Sequence, residues 1–367
     1  MLYPLKFEPV YKSYFWGGRN LEKLGRMLPD GKIAESWEVA CNFEGISIIA
    51  NGAYKGLPLS QLLALFGENV LGKGTAKFPL LIKLLDANDR LSVQVHPDDR
   101  YARTVENQDY GKSEMWYVLA AQPGAKIVYN LREGVIGRDL DRLVKTKEIE
   151  RWFNYVDVSA GDAIYIPAGT IHGLGEGIIV VEIQQNSTTT YRIYDYDRTD
   201  ASGAKRPLHI EKASEVANFN RQDETGKVAG LVVACGHGSR KTYLVAERHF
   251  AVELYDVAGS VEEVADGSKF YVFTIIEGAG EVRYGSGQTV SVCAVETVMI
   301  PAALGRYCLA GRFKALKAYV PDLTADVVTP LKAAGYSSTE IFRCVGGLAD
   351  FIHINTYSKN SCRLCSS

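Results

Sequence analysis

The chain is 367 residues long and 47% of them are hydrophobic, enough to bury cores for two domains of ordinary size without disulfide support. Forty-one basic against forty-three acidic residues leave a formal charge of −2, which argues against the broad positive footprint of a nucleic-acid binder. Seven scattered cysteines, an amino terminus without leader character and the lack of a bilayer-long apolar run predict a cytoplasmic protein with no membrane partner.

Residues 35–42, ESWEVACN, open as a strand with Trp37 and Val39 on one face, Trp37 being core or cavity wall. Leucines clustered at residues 60–66 predict a short helix. Residues 78–87, FPLLIKLLDA, read as a buried strand interrupted by Lys83. An ammonium there either snorkels to the surface or reaches a cavity, where Glu182 or a metal-binding carboxylate could pair with it and its pKa could fall toward acid–base work. In LSVQVHPDD, Ser92, Gln94 and His96 alternate onto one face of a strand. Ser92 is then either a cavity hydroxyl or a serine bonded to nearby backbone. GKSEMWYVL places Lys112 and Glu114 in phase with each other on a neighbouring strand.

A strand at residues 126–131 and a helix over 138–153 follow. In GDAIYIPAGTIH, Gly161, Pro167 and Gly169 shape a turn that delivers His172 into the fold. Strands at 177–184 and 191–198 carry Glu182 and Arg192. Arg192 is suited either to a forked contact with phosphate or to a surface ion pair with Asp195 or Asp197. Cross-strand aromatic pairing accounts for the tyrosines around it. The polar residues 201–209, with the segment 212–227, read as a connector between domains. Further strands lie at 269–282 and 289–302, and the chain from Thr324 is a tail without assignment. His209, His237, His249 and His353 have no partners in sequence, and the C-x-x-C at Cys362 and Cys365 reads as silent.

Short strands at regular spacing with many turn residues predict a mainly β chain of sandwich or jelly-roll barrels, a class that includes the cupins. An internal match sharpens this, since Ile166-Pro167-Ala168 aligns with Ile300-Pro301-Ala302, and the second copy has Arg306 where the first has His172. Arginine stays protonated and cannot ligate a metal. The expected layout is a catalytic cupin-like domain over residues 1–225 with a few short helices inserted, a metal-free cupin-like domain over 226–322, and a tail over 323–367.

Gln94, His96, Glu114 and His172 form a two-histidine, one-carboxylate set with an amide oxygen, which suits zinc with an open position, although the triad alone could hold iron in an oxygenase. G-x5-P-x-G-x2-H fits the second cupin motif. The first motif departs from the common form, with Gln94 in the leading histidine position and seventeen residues between His96 and Glu114. With YFWGG, ESWEV, QVHPDD, GKSEMWYV, IPAGTIHGL and TTTYRIYDYDR, the chain resembles the type I mannose-6-phosphate isomerases.

That resemblance implies one zinc ion per chain on Gln94, His96, Glu114 and His172. It implies substrate contacts from Ser92, Lys112 and Arg192, and catalytic roles for Arg192, Lys83, Lys112 and Glu182. The implied reaction is reversible interconversion of mannose 6-phosphate and fructose 6-phosphate through a cis-enediol, by a monomer or weak homodimer. Thr188 stands where many members carry an acid. The alternatives are a metal-dependent cupin oxygenase and a non-catalytic sugar-phosphate sensor. A fourth ligand crowds the oxygenase's open positions, and a sensor would be expected to lose Lys112, Arg192 or a ligand.

Overall fold

The computed structural model describes residues 2–199, 203–220 and 224–349; His353, Cys362 and Cys365 lie outside them. The chain divides into two compact units, one of Pro9–Gly45 and Leu80–Lys227, the other of Met1–Glu8, Ile46–Pro79 and Val228–Ser367. The second stretch of the first unit ends at Lys227. The amino-terminal 225 residues are not one block, however. Leu5–Glu8 pairs with Thr297–Ile300 and with Ile48–Ile49, so backbone ladders tie residues 1–8 and 46–79 to the carboxyl-terminal unit. The helix Leu59–Phe66 belongs to that unit too.

The unit of residues 9–45 and 80–227 is built mainly from two sheets. Ile178–Gln185, eight consecutive buried residues rich in isoleucine and valine, sits centrally, as a strand covered on both faces must. It pairs with Glu114–Ala121 on one side and Leu80–Ala87 on the other. Ala163–Ile166 and then Glu35–Val39 and Val10–Lys12 complete six strands. The second sheet runs Phe153–Asp157, Lys126–Leu131, His172–Gly173, Val93–Val95, Tyr191–Tyr194. The ladders remain separate sheets and do not close into one barrel.

One core cluster joins Leu85, Trp116, Val118, Ile178 and Val180 of the first sheet to Ile127, Tyr129 and Val156 of the second. Another packs Val93, Val95, Tyr191 and Ile193 beneath Leu140, Leu143 and Ala213, from the helices Leu140–Lys145 and Ile210–Val216. Because Val93 and Val95 face those helices, Ser92, Gln94 and His96 must face the six-stranded sheet. The helix expected over 138–153 is shorter, giving way at Lys147 (φ 59°) to a 3-10 turn, Glu148–Trp152. The segment read as a connector also carries structure, since the helix Ile210–Val216 packs onto the core.

In the other unit, helical turns over Leu323–Val328, Thr329–Ala333 and Ser338–Cys344 bury Leu323, Val327, Leu331 and Ile341 against Leu231, Tyr243 and Tyr319. The described part of the tail is thus packed structure. The six strands Leu231–Gly236, Ser239–Ala246, Ala251–Ala265, Tyr271–Tyr284, Thr297–Ile300 and Gly305–Tyr319 are ordered in their sheet as 5-4-6-3-2-1. The six-stranded sheet of the first unit has the same order.

The registers map residue onto residue. Ile166 faces Glu114 as Ile300 faces Tyr271. Trp116 faces Glu182 as Phe273 faces Lys317, and Glu182 faces Lys83 as Lys317 faces Glu253. One strand further, Trp37 faces Lys83 as Tyr243 faces Glu253, which puts Glu35 level with Lys241. Acid, lysine, acid (Glu35, Lys83, Glu182) in one copy becomes lysine, acid, lysine (Lys241, Glu253, Lys317) in the other.

Candidate active site and metal centre

Strand alternation divides the space between the two sheets. Along Ile178–Gln185 the inward side chains are Ile178, Val180, Glu182 and Gln184, along Glu114–Ala121 they are Glu114, Trp116 and Val118, and along Leu80–Ala87 they include Lys83, Leu85 and Ala87. One end of the space is consequently apolar and the other is lined with charges. Two backbone bonds align the segments at the polar end, from Gly169 N to His96 O at 2.9 Å and from Lys112 N to Pro97 O at 2.9 Å. Gly111 makes the second possible, because a Cβ there would lie 2.4 Å from the carbonyl carbon of Asp98.

His96, Glu114 and His172 meet at this end with their ligand atoms all within 4.8 Å of one another. His96 Nδ1 donates to Thr189 O and His172 Nδ1 donates to Thr170 O, both at 2.9 Å. A carbonyl can only accept, so each neutral ring carries its proton on Nδ1 and turns the Nε2 lone pair to the centre. His172 Nε2 lies 3.2 Å from Glu114 Oε1, and His96 Nε2 lies 3.6 Å from Glu114 Oε2. Glu114 and His172 are fully buried, and both Glu114 oxygens and His172 Nε2 lack an aligned hydrogen-bond partner.

Glu114 Oε1 and His172 Nε2 in particular face each other as buried acceptors, an arrangement a cation would satisfy. Imidazole and carboxylate donors fit zinc and related divalent ions. Gln94 is the cross-strand neighbour of both His172 and Arg192 and adds a carboxamide on the same face. Burial alone would push the Glu114 carboxyl up, but Lys112, His172 and His96 outweigh it and hold it well below the usual carboxylate range. Burial, then the charge of Lys112, pulls His96 well below the ordinary histidine range. Both directions favour the ligand forms.

A cavity of about 300 Å³ opens beside the centre and is lined by Lys83, Ser92, Gln94, Lys112, Glu182 and Arg192, all expected at the site. Lys112 Nζ stands between cavity and centre, 2.8 Å from Glu114 Oε2 and 3.0 Å from His96 Nε2. Arg192 donates through Nε to Ser92 Oγ at 3.3 Å and through Nη1 to Pro207 O at 2.9 Å. It therefore makes no ion pair with Asp195 or Asp197. Asp195 is bound by Arg198 and Arg206, and Asp197 by Lys147 and Lys205. His209 braces the strand, its Nδ1 accepting from Arg192 N at 3.0 Å.

Lys83 differs from expectation in one respect. It does reach the cavity, with Glu182 Oε2 at 2.9 Å and Glu35 Oε2 at 3.5 Å. Burial works to strip its proton, but the two carboxylates outweigh burial and hold Lys83 above the ordinary lysine range. It is a fixed ammonium. Trp116 Nε1 donates to Glu182 Oε1 at 3.0 Å and Trp37 Nε1 to Glu35 Oε2 at 2.6 Å, so each carboxylate is held by an indole as well.

Sequence reasoning missed Glu35 and Arg206, both of which line the cavity. The signal for Glu35 was its phase with Trp37. Arg206 lies in an irregular polar stretch that carries no periodicity.

Comparison with known proteins places these observations in a family. A family model described as the catalytic domain of type I phosphomannose isomerase matches residues 4–117, and one described as the cupin domain of mannose-6-phosphate isomerase matches residues 239–320. Mannose-6-phosphate isomerase ManA of Bacillus subtilis is 37% identical over 313 residues, 84% of this chain and 96% of the relative. The mannose-6-phosphate isomerase of Streptococcus mutans is 37% identical over 291 residues, 78% of this chain and 89% of the relative. A crystal structure of the mannose 6-phosphate isomerase from Bacillus subtilis superposes with a TM-score of 0.79 at 32% identity, covering 86% of this chain and 99% of that one.

Proposed function

The chain belongs to the type I mannose-6-phosphate isomerase family, and from that membership we propose how its cavity interconverts mannose 6-phosphate and fructose 6-phosphate. The observation that carries the proposal is the convergence of orphaned ligand atoms on Glu114 and His172 beside a cavity lined by lysine, arginine and carboxylate.

His96, Glu114, His172 and Gln94 would hold a zinc ion. Zinc bound there would supply a Lewis acid for negative charge developing on the sugar oxygens, worth several kcal/mol. Arg192, with Ser92 fixing its Nε, and Lys112 bind the phosphate, so that the remote anion positions C1 and C2. Lys83 is held as an ammonium and acts on sugar oxygens as a hydrogen-bond donor, favouring charge that develops there. Carrying the proton between C1 and C2 then falls to a carboxylate, and Glu182, which pairs with Lys83 through Oε2 and accepts from Trp116 at Oε1, is the one assigned. Among the described residues, the unpaired thiols of Cys41, Cys235, Cys308 and Cys344 support a cytoplasmic home.

A coupled assay on mannose 6-phosphate before and after chelation, with zinc restored, tests this beside His172→Ala. Turnover should vanish on chelation and return with zinc. The variant should be at least about 10²-fold slower and bind zinc more weakly by a similar factor. Turnover that survives complete chelation would refute the metal assignment.

A further inference from the structure

The cavity has a second guanidinium. Arg206 lines it together with Arg192, and the two are tied to the same turn, because Arg192 Nη1 donates to the carbonyl of Pro207. Arg206 is aimed by Asp195, a carboxylate 6% exposed, through Nε to Oδ2 at 2.8 Å and Nη2 to Oδ1 at 2.6 Å. That fork uses two of its nitrogens and leaves Nη1 without a partner among the described residues. Phe15 packs against the guanidinium at 4.8 Å, which restricts its swing.

Arg198 and Arg206 share Asp195, and Arg198 takes Asp89 as a further partner, while the charges of Asp195, Arg206 and Arg198 all act on Arg192. Among the described residues, Arg192, partly buried, is met by a hydroxyl and a carbonyl and by no carboxylate of its own. Burial first, and then the charge of Arg206, pull the Arg192 guanidinium below its ordinary range. A buried cation without a counter-ion is costly unless a ligand supplies one.

We propose that Arg206, oriented by Asp195, is the second half of a two-guanidinium clamp with Arg192 for the substrate phosphate. The clamp makes the cavity selective for phosphorylated over free sugar. This rests on the isomerase reading of the cavity. Asp195 is a positioning residue, since its oxygens are engaged by arginines and do not touch the sugar.

The test is steady-state kinetics on mannose 6-phosphate, with inorganic phosphate as competitive inhibitor, for the zinc-loaded wild type, Arg206→Met, Arg206→Lys and Asp195→Asn. A charge-assisted contact to phosphate is worth roughly 10- to 100-fold. Arg206→Met should therefore raise KM and the phosphate inhibition constant together by about 30-fold, with kcat within about threefold. Arg206→Lys, which keeps the charge and loses the fork, and Asp195→Asn should each fall between, at about 5- to 10-fold. Should the methionine variant not fold, the lysine variant carries the same comparison. Unchanged constants in folded Arg206→Met, or a loss confined to kcat, would overturn the clamp. Wild-type protein that does not turn over mannose 6-phosphate, but binds inorganic phosphate more tightly than Arg206→Met in calorimetry, would retain the clamp and remove the isomerase reading.

Discussion

Replacing Lys83 by methionine keeps the side-chain volume and removes the single positive charge from the triad with Glu35 and Glu182. Lys83 is 6% exposed and Glu182 4%, so water cannot take over the solvation of the carboxylate left behind. Deleting one partner of a buried pair costs about 3–5 kcal/mol. Trp116 and Trp37 still donate to the two carboxylates, which places the loss at the lower end, about 3 kcal/mol, or a melting temperature lowered by roughly 6–12 °C. Adding Glu182→Gln removes the nearer of the two stranded charges and leaves Glu35 to its indole, so the double variant should recover about half or more of the loss.

Activity should behave differently. Without an ammonium facing the developing oxyanion, kcat should fall by about 10²–10³ in the single variant and remain low in the double. Denaturant titration and the coupled assay, run on the same zinc-loaded preparations, separate the two effects. A single variant as stable as wild type, or a double no more stable than the single, would refute the ion-pair account.

Two further outcomes follow from the geometry. Gly111→Ala drives a Cβ into backbone atoms of Asp98 and Asp99 at 2.4 and 2.5 Å, neither of which can turn aside. It should destabilise by about 2–3 kcal/mol and lower activity by displacing Lys112, and a variant with wild-type melting and turnover would contradict the close approach. Glu247, buried where it accepts from His249 N and Phe250 N, has its carboxyl pushed up by burial to about 7. The native state therefore keeps a proton that the unfolded chain releases near the ordinary glutamate pKa of about 4.3. Stability from this group is complete below that value and is lost as pH rises through about 7, at most about 4 kcal/mol in all. Glu247→Gln should gain on wild type by up to that amount between pH 4.5 and 8 in denaturant titrations, and parallel pH curves for the two proteins would exclude the assignment.

Period-two alternation made much of the site legible in the sequence. It put Gln94 and His96 on one face and Lys112 in phase with Glu114, and the turn glycine and proline before His172 announced where that ligand enters. The family resemblance supplied Arg192 and Glu182. Contacts set by tertiary pairing were not legible. The ammonium of Lys83 is fixed by Glu35, nearly fifty residues earlier in the chain, and a lysine's protonation depends on such partners more than on its own apolar neighbours. Arg206 was hidden because a loop side chain aimed by one carboxylate leaves no periodic trace. The interleaved units were hidden for a related reason, since a four-residue strand such as Leu5–Glu8 reads identically whichever sheet it joins.

The inverted triads of the two sheets bear on how the chain avoids folding wrongly. Tandem copies of one strand order in a single polypeptide invite exchange of equivalent strands while both are forming. Were Leu80–Ala87 to add to Gly305–Tyr319 in its own register, Lys83 would lie opposite Lys317, and the reciprocal error would set Glu253 opposite Glu182. Either mistake buries two like charges face to face, whereas correct partners bury opposite ones. Each copy thereby rejects the other's strands, so that two sheets of the same topology assemble from one chain without trading parts.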